Sequence, residues 1–353
     1  MDDLKELLSA ITPPDREAEA ASRRHWDSLA KPLGSLGLLE DAVVKIAALT
    51  GNVRVALRKR SLVVFCADNG VVAQGVTQTD SSVTAAVACS LARGSSTVCP
   101  MAGLTRCEVI PVDMGMVDFP GFPGVLDRRV QNSTGDITLG PAMSREECAR
   151  AILTGAELAR EQKETGVDIL AGGEMGIGNT TTSSAVAAVL LGLQPEEVTG
   201  RGAGLSTQGL YRKVEAVRRA IAVNVPDPRD PIDVLSKVGG LDLAALCGFY
   251  LGCARYRVPV LLDGLISTVA ALCAVRLCPN AQGALLASHV SAEPAGKLVL
   301  EALGLEPLIT AQMRLGEGSG AVAALPLLDM ALAVYSGGQT FGELGIEAYT
   351  PQK

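Results

Sequence analysis

Aromatic residues and histidine are scarce in this chain, and each scarcity narrows what the protein can be. Phe, Trp and Tyr make up 3% of the 353 residues, although hydrophobic residues together reach 48%. Ala, Val, Leu and Gly must therefore form the core, which suits helices packed closely on a sheet better than a β-sandwich. His25 and His289 are the only histidines, so a histidine-rich zinc site is not expected. Nothing in the sequence calls for a metal or another cofactor.

The chain also lacks the features of secreted, membrane and nucleic-acid-binding proteins. Its nine cysteines form no Cys-x-x-Cys pair and lie mostly in apolar runs, which predicts reduced thiols in a cytoplasmic protein. The net charge is −7 without any basic block, so nucleic acid is not an expected partner. Residues 1–5 are charged, unlike a signal peptide. Asp263 and Arg276 interrupt the longest apolar region, so no membrane span is expected.

Apolar runs alternate with helical patterns along the chain. This alternation predicts an α/β fold with a mostly parallel sheet covered by helices on both faces. Four of the runs end in an acid close to glycine, namely Asp68, Asp113, Glu174 and Asp263. Because ligands bind at the carboxyl ends of the strands in open α/β sheets, these carboxylates could converge on one cleft. The alternative for Asp68 and Asp113 is that they cap the helices that follow.

A glycine-rich stretch at 167–185 is the strongest single motif. A short apolar run precedes four glycines, and Asn179 or Thr180 is placed to cap the helix that follows. A strand, a glycine turn and a helix start offer backbone N–H groups to a phosphate or carboxylate. No Gly-Lys-Ser/Thr follows, and Thr181 occupies the third glycine position of a dinucleotide fingerprint. A tight turn without a ligand is the alternative, but Glu174 inside an anion-binding loop favours a functional role.

A second candidate is Glu317, which lies in Gly316-Glu-Gly-Ser-Gly320 between Leu315 and an apolar helix. A carboxylate in apolar surroundings has a raised pKa and can act as a general base near neutral pH. The alternative is a flexible surface turn. Two carboxylates beside an anion-binding loop suggest group transfer at a sugar carbon. No serine or cysteine triad is recognisable.

Seven motifs, spread over about residues 23–347, resemble one known family, the nicotinate-nucleotide–dimethylbenzimidazole phosphoribosyltransferases. They are Lys31-Pro-Leu-Gly-Ser-Leu-Gly37, Ala67-Asp-Asn-Gly-Val71, Gly173-Glu-Met-Gly-Ile-Gly-Asn-Thr-Thr181, Gly200-Arg-Gly202, Leu261-Leu-Asp-Gly264, Ser288-His-Val-Ser-Ala-Glu293 and Leu315-Gly-Glu-Gly-Ser-Gly-Ala321. The resemblance implies transfer of phosphoribose from nicotinate mononucleotide to an aromatic base, with β-to-α inversion, in cobamide (vitamin B12) assembly. It also implies a dimer, with an identical or a paralogous partner.

The resemblance implies a Rossmann-like large domain, 51–300, and a small helical domain from both chain ends, 1–50 and 301–353. It places the catalytic base on Glu317. The nucleotide-binding residues that we expect at the strand ends are Gly173, Glu174, Met175, Gly176, Ile177, Gly178, Asn179, Thr180, Gly202, Lys213, Asp263, Gly264 and Ser291. The base-binding residues that we expect are Asp80, Met175 and Leu315.

One segment departs from the family pattern. Where the family commonly has Pro-Gln ahead of Val-Thr, this chain reads Thr79-Asp-Ser-Ser-Val-Thr84. A carboxylate at Asp80 suggests an acceptor with an O–H group, such as phenol or p-cresol, because it would help deprotonate a hydroxyl of pKa near 10. The alternative is that Asp80 caps the helix that begins near Val83.

Two further functions compete with this one. A non-catalytic paralogue could bind the nucleotide or form the silent half of a heterodimer, although Glu317 and the whole glycine loop are present. A Rossmann-type oxidoreductase is the third candidate, and the incomplete dinucleotide fingerprint argues against it.

Overall fold

The computed structural model describes residues 1–350, in which six strands form one parallel sheet. The strands are β1 Arg60–Ala67, β2 Cys107–Gly115, β3 Leu126–Asp127, β4 Ile169–Met175, β5 Val260–Leu262 and β6 Leu285–Ala287. Their order is β3-β2-β1-β4-β5-β6, and every neighbouring pair is parallel. This is the doubly wound order, whose direction of winding reverses between β1 and β4. The predicted α/β fold is confirmed.

Within residues 1–350, fifteen α-helices accompany the sheet, together with two short 3₁₀ helices at Gly70–Gln74 and Pro279–Ala284. The α-helices are α1 Asp2–Ser9, α2 Arg16–Ser28, α3 Leu38–Thr50, α4 Ser82–Ala92, α5 Val98–Leu104, α6 Arg145–Glu164, α7 Asn179–Leu191, α8 Pro195–Val198, α9 Thr207–Asn224, α10 Pro231–Val238, α11 Leu241–Arg255, α12 Leu265–Leu277, α13 Ala295–Leu303, α14 Ser319–Gly337 and α15 Phe341–Leu344.

Both faces of the sheet are covered, as the apolar strand β1 shows. Val63 and Phe65 point into the core shared with α6, α7, α11 and α12, whereas Leu62 and Val64 point into the core shared with α4, α5 and α14. Successive side chains of a strand point to opposite faces, so a strand buried on both faces is apolar at every position. All four side chains are fully buried.

Small residues let the helices approach closely, as the low aromatic content predicted. A Cβ built on Gly155 of α6 lies 1.9 Å from the carbonyl oxygen of Ala245 in α11. A Cβ built on Gly248 of α11 lies 1.7 Å from the carbonyl oxygen of Ile152. Neither position tolerates a side chain, so α6 and α11 pack almost backbone to backbone.

Two sequence-based assignments need correction. Gly172 and Gly173 were expected in the turn, but β4 continues through both and ends at Met175. They are glycines because a Cβ would lie 2.5 Å from the Tyr250 hydroxyl oxygen and 2.8 Å from the Gly318 nitrogen, respectively. Residues 117–141 hold many Pro, Gly and charged residues, which predict a long loop, but this segment contains strand β3. Its two residues pair only with β2 at the edge of the sheet, and so short a strand leaves no periodic pattern.

The two chain ends meet in a small helical cluster. Trp26, Leu29, Val43 and Val44 pack against Tyr335 and Ala331 of α14. The hydroxyl groups of Ser22 and Tyr335 are 2.9 Å apart. Helix α1 does not join this cluster, because Leu4 is buried in the core shared with α6 and α11. The predicted domain boundaries at residues 50 and 301 stay a prediction.

Among residues 1–350, α14 is the one helix long and apolar enough, by length and composition, to cross a membrane. In the fold, α14 packs against β4, β5, α3 and α5. About half of its residues are buried there, including Val322, Leu325 and Leu328.

Candidate active site

A cavity of about 220 Å³ opens at the carboxyl ends of β4, β5 and β6. It lies beside the point where the winding reverses, which is where ligands bind in open α/β sheets. Its walls come from the loop after β4, from residues 76–79 and 201–205, and from the turn that precedes α14. The cavity therefore collects the sequence motifs from distant parts of the chain.

Most of the predicted site residues line this cavity. The predicted nucleotide-binding residues that line it are Glu174, Met175, Gly176, Ile177, Gly178, Asn179, Thr180, Gly202, Lys213, Gly264 and Ser291. Glu317 and Leu315 also line it. Gly173, Asp263 and Asp80 are not among the lining residues.

Glu317 lies in an unusual turn just before α14. Gly316, Glu317 and Gly318 have φ angles of 86°, 60° and 81°. Three successive residues in the left-handed region turn the chain sharply, which glycine tolerates and glutamate does not favour. The Glu317 carboxylate lies on the cavity wall and is 8% exposed. This geometry excludes the alternative of a flexible surface turn.

The surroundings of the Glu317 carboxylate are polar, not apolar as expected. Its Oε2 atom accepts hydrogen bonds from the Ser96 hydroxyl, at 2.7 Å, and from the Val98 backbone N–H, at 3.2 Å. Both bonds go to the same oxygen, so Oε1 is the oxygen available to a ligand. The sequence analysis missed Ser96 and Val98, because no local pattern links the start of α5 with the start of α14.

Asp263 has a different position from the one predicted. Its Oδ2 atom accepts a hydrogen bond from the Gly318 N–H, at 3.0 Å, and its Oδ1 atom accepts one from the Gly320 N–H, at 2.7 Å. Burial raises the pKa of Asp263, and His289 lies 3.9 Å away. Both carboxylate oxygens therefore face the Glu317 turn, and the expected contact with the nucleotide is not supported.

A second pair of carboxylates lies on the floor of the site. The Asn179 side-chain amide donates hydrogen bonds to both Glu174 and Asp242, the latter at 2.9 Å. Burial, with a contribution from Asp242, raises the pKa of Glu174 to about 8. Burial also raises the pKa of Asp242 to about 6. At neutral pH Glu174 is therefore predominantly protonated, and Asp242 carries the negative charge.

These contacts correct one prediction and add one residue. Asn179 does not cap α7, because the N-cap residue is Gly178 and no side chain caps the helix. The Asn179 side chain turns inward to the two acids instead. Asp242 was missed from the sequence, since it lies at the start of an apolar helix, α11, with no motif around it.

Lys213 supplies a cation to the cavity. Its side chain is 1% exposed, and its Nζ donates a hydrogen bond to the Thr180 hydroxyl, at 2.8 Å. Burial lowers the pKa of Lys213 to about 8, and Glu293 opposes this shift. A Cβ built on Gly202 lies 3.3 Å from that Nζ. Gly202 thus leaves open the space in front of the ammonium group.

Asp80 does not take part in the cavity. It is exposed and accepts hydrogen bonds from the backbone N–H of Ser82, at 3.0 Å, and from its hydroxyl, at 2.5 Å. These bonds lower the pKa of Asp80. Asp80 lies one residue before Ser81, the N-cap of α4, and its carboxylate bonds to the first residue of the helix, close to what the alternative interpretation held. With Asp80 outside the cavity, a phenol acceptor loses its support. The nearby residues that do line the cavity are 76–79.

Asp68 and Asp113 brace loops at the strand ends. Asp113 accepts hydrogen bonds from the N–H groups of Gly115 and Met116, both at 2.9 Å, and pairs with Arg129 at 2.8 Å. Asp68 accepts one from the Val117 N–H, at 2.8 Å. Neither acid lines the cavity, and neither caps a helix, so only Glu174 and Asp263 of the four strand-end acids adjoin the site.

With this geometry in hand, comparison with known proteins assigns the family. A family model described as phosphoribosyltransferase matches residues 11–346. The chain belongs to this phosphoribosyltransferase family. The resemblance inferred from the seven motifs is thereby confirmed, and the oxidoreductase alternative is wrong. The protein is an enzyme of this family, because relatives that match it over nearly their whole length are named as phosphoribosyltransferases.

Relatives and solved structures agree with the family. The chain is 45% identical over 347 residues to the nicotinate-nucleotide–dimethylbenzimidazole phosphoribosyltransferase of Ruminiclostridium cellulolyticum, covering 98% of this chain and 99% of that protein. It is 45% identical over 349 residues to the enzyme of the same name from Acetivibrio thermocellus, covering 99% of each. The crystal structure of CobT from Thermus thermophilus superposes with a TM-score of 0.89 at 42% identity, covering 94% of this chain and 100% of that one.

Proposed function

We propose that this protein transfers the phosphoribosyl group of nicotinate mononucleotide to 5,6-dimethylbenzimidazole, with inversion at the ribosyl carbon. The observation that carries the proposal is one cavity with Glu317 on one wall and the Lys213 ammonium on another. A base and an anion-binding group brought into one cavity by the turn before α14 and by helix α9 suit a phosphorylated sugar that reacts at its far end. The names of the relatives support the same substrates.

The phosphate of the mononucleotide binds beside Lys213, Thr180 and Gly202. The Lys213 ammonium donates a hydrogen bond to one side-chain hydroxyl only, that of Thr180. A phosphate dianion gives the buried ammonium a charged acceptor and so offsets the hydration that it loses on burial. The start of α7 adds N–H groups at a positive helix end. Ser291 and Gly264 line the same cavity, which supports their predicted role in nucleotide binding.

The ribosyl carbon lies near Glu317 in this arrangement. The bond between ribose and the pyridine nitrogen breaks, and its electron pair stays on nitrogen, so nicotinate leaves with a neutral ring. The acceptor nitrogen that carries the free lone pair attacks the opposite face of an oxocarbenium-like centre. The proton on the other nitrogen of the acceptor's imidazole ring passes to Oε1 of Glu317, which leaves the product ring neutral, while Ser96 and the Val98 N–H hold Oε2.

The protonated Glu174 suits this reaction because it places no second full negative charge beside Glu317. A neutral carboxyl group can donate a hydrogen bond to a ribose hydroxyl or to Glu317 itself. Ionised Asp242 lies deeper, below Asn179, and helps to keep the proton on Glu174.

Apolar side chains form the wall on which the acceptor ring packs. Met175, Leu315, Val76 and Ile177 line the same cavity as Glu317. They match the apolar faces and the two methyl groups of dimethylbenzimidazole. With Asp80 outside the cavity, this wall favours a benzimidazole over a phenol.

The decisive experiment replaces Glu317 by Gln. The variant keeps the shape of the side chain but cannot accept the proton, so we expect kcat to fall by about 100-fold or more. The exposed Glu301→Gln on α13 is the matched control and retains wild-type turnover. Nicotinate release and the α-riboside are measured by chromatography with a panel of benzimidazoles, purines and phenols. Undiminished turnover by Glu317→Gln, or a preference for phenols, contradicts the corresponding part of the proposal.

We further propose that the protein works in the cytoplasm as a dimer, which the family resemblance implies, and that of the two partners left open, identical or paralogous, the partner is identical. Sedimentation of the pure chain is then expected to give twice its mass of 36.4 kDa. A single-chain mass with full turnover contradicts the dimer. Binding of nicotinate mononucleotide without turnover contradicts the enzyme and favours the silent half of a heterodimer.

A further inference from the structure

The turn that carries Glu317 is held in a conformation that its own sequence does not favour. Glu317 has a φ angle of 60°, although a side chain with a Cβ destabilises the left-handed region. Such a residue persists only where the surrounding structure over-determines it. The hydrogen bonds of the turn to the rest of the fold identify which group does so.

The Asp263 carboxylate holds the turn by accepting hydrogen bonds from the backbone N–H groups of the turn. Its two oxygens accept the N–H groups of Gly318 and Gly320, the first and third residues after Glu317. Asp263 is itself fixed at the end of β5. Its backbone N–H donates to the Ser267 hydroxyl at 2.8 Å, and that hydroxyl lies 2.6 Å from the Tyr250 hydroxyl.

The glycines of the turn allow this approach. A Cβ built on Gly318 lies 2.2 Å from Cδ1 of Leu62, and one built on Gly320 lies 1.8 Å from Nδ1 of His289. A side chain at either position would therefore push the backbone away from the Asp263 carboxylate. Gly318, Gly320 and the buried Asp263 therefore together fix the position of the start of α14.

We propose that Asp263 is a positioning residue that acts through Glu317 and does not contact the substrate. It holds the left-handed turn so that Oε1 of Glu317 faces the cavity. Asp263 is 2% exposed, is not among the residues that line the cavity, and has both oxygens engaged by the turn. This inference rests on the proposed role of Glu317 and adds the residue that orients it.

The test is a double-mutant cycle on the full-length protein. Asp263→Asn keeps the shape of the side chain, but its amide NH₂ group faces one of the two backbone N–H groups and cannot accept its hydrogen bond. We expect kcat to fall by about 10-fold or more, with KM for nicotinate mononucleotide within about 3-fold of wild type. In the Glu317→Gln background the same change is expected to lower kcat no further, because the group that it orients is already gone.

Asp113→Asn is the matched control. Asp113 is also buried, lies near the carboxyl end of strand β2 and accepts two backbone N–H groups, but it holds a different loop. We expect this variant to lose stability without loss of kcat. If Asp263→Asn does not fold, Gly320→Ala tests the same contact. Its added methyl group meets His289 and so pushes the Gly320 N–H away from the Asp263 carboxylate.

The outcomes separate this inference from the proposed function. Equal fold-losses from Asp263→Asn in the wild-type and the Glu317→Gln backgrounds overturn it, because Asp263 then acts independently. If Glu317→Gln is slow but Asp263→Asn is fully active, the positioning role of Asp263 is overturned and the role of Glu317 stands. A fully active Glu317→Gln enzyme overturns the role of Glu317 and this inference with it.

Discussion

At the scale of single residues, Lys213 gives the sharpest prediction about substrate binding. Lys213→Met keeps the aliphatic stem but removes the charge that faces the phosphate. A hydrogen bond to a charged group is worth about 1.5–3 kcal/mol, so KM for nicotinate mononucleotide should rise about 10- to 100-fold. Steady-state kinetics measure this, and kcat should change much less. Lys297→Met, on the exposed side of α13, is the control. An unchanged KM would show that the phosphate binds elsewhere.

Residue-level reasoning from the sequence found the groups that lie in motifs. Glu317, Lys213 and the loop after β4 were expected in one site, and the cavity contains them. It missed Ser96 and Asp242, which reach the site from α5 and α11. A hydrogen-bond partner contributed by a distant helix leaves no local signal, so only the packed fold reveals it.

At the scale of secondary structure, the start of α6 is a direct test of local stability. The Ser144 hydroxyl accepts the Glu147 N–H at 3.1 Å, and the Glu147 carboxylate accepts the Ser144 N–H at 2.8 Å. The Ser-x-x-Glu spacing of Ser144 and Glu147 predicts this capping box, and the structure confirms it. Ser144→Ala should lower the free energy of unfolding by about 1 kcal/mol and leave kcat unchanged.

The measurement for Ser144→Ala is the midpoint of urea unfolding. Thr154→Ala in the exposed middle of α6 is the control, since the Thr154 hydroxyl bonds only to the Arg150 carbonyl within its own helix. A loss of stability in Thr154→Ala as large as that in Ser144→Ala would contradict the capping argument.

At the scale of the whole molecule, buried carboxyl groups make the stability depend on pH. The folded protein keeps a proton on Glu174 up to about pH 8, whereas an ordinary glutamate has a pKa of 4.5. Between these values the folded state binds more protons than the unfolded state, so stability falls as pH rises. Asp242 acts in the same direction up to about pH 6. The pKa of Lys213 is lowered from 10.5 to about 8, so Lys213 makes stability rise with pH only between these two values.

Unfolding in urea at about pH 5.5 and about pH 8 tests this linkage. The wild-type midpoint should be lower at the higher pH. Glu174→Gln cannot ionise and still accepts the Asn179 hydrogen bond, so its decline should be smaller. Glu301→Gln, on the exposed face of α13, should keep the full wild-type decline. An equal decline in wild type and Glu174→Gln would mean that Glu174 is already ionised at neutral pH.

The sequence by itself determined the fold class and the family. Alternating apolar runs and helices predict a parallel α/β sheet, and glycine-rich motifs fix the family, because both signals are local in the chain. It also identified Glu317, whose flanking glycines allow a turn that few other sequences can adopt.

The tertiary structure alone decided what those motifs do for one another. It placed Asp80 on the surface, bonded to the first residue of α4, and turned Asp263 away from the cavity toward the Glu317 turn. It also brought Asp242 beneath Glu174, joined through Asn179. Burial, charge and hydrogen bonding depend on neighbours that are far apart in sequence, so these roles appear only when the sheet and its helices are packed together.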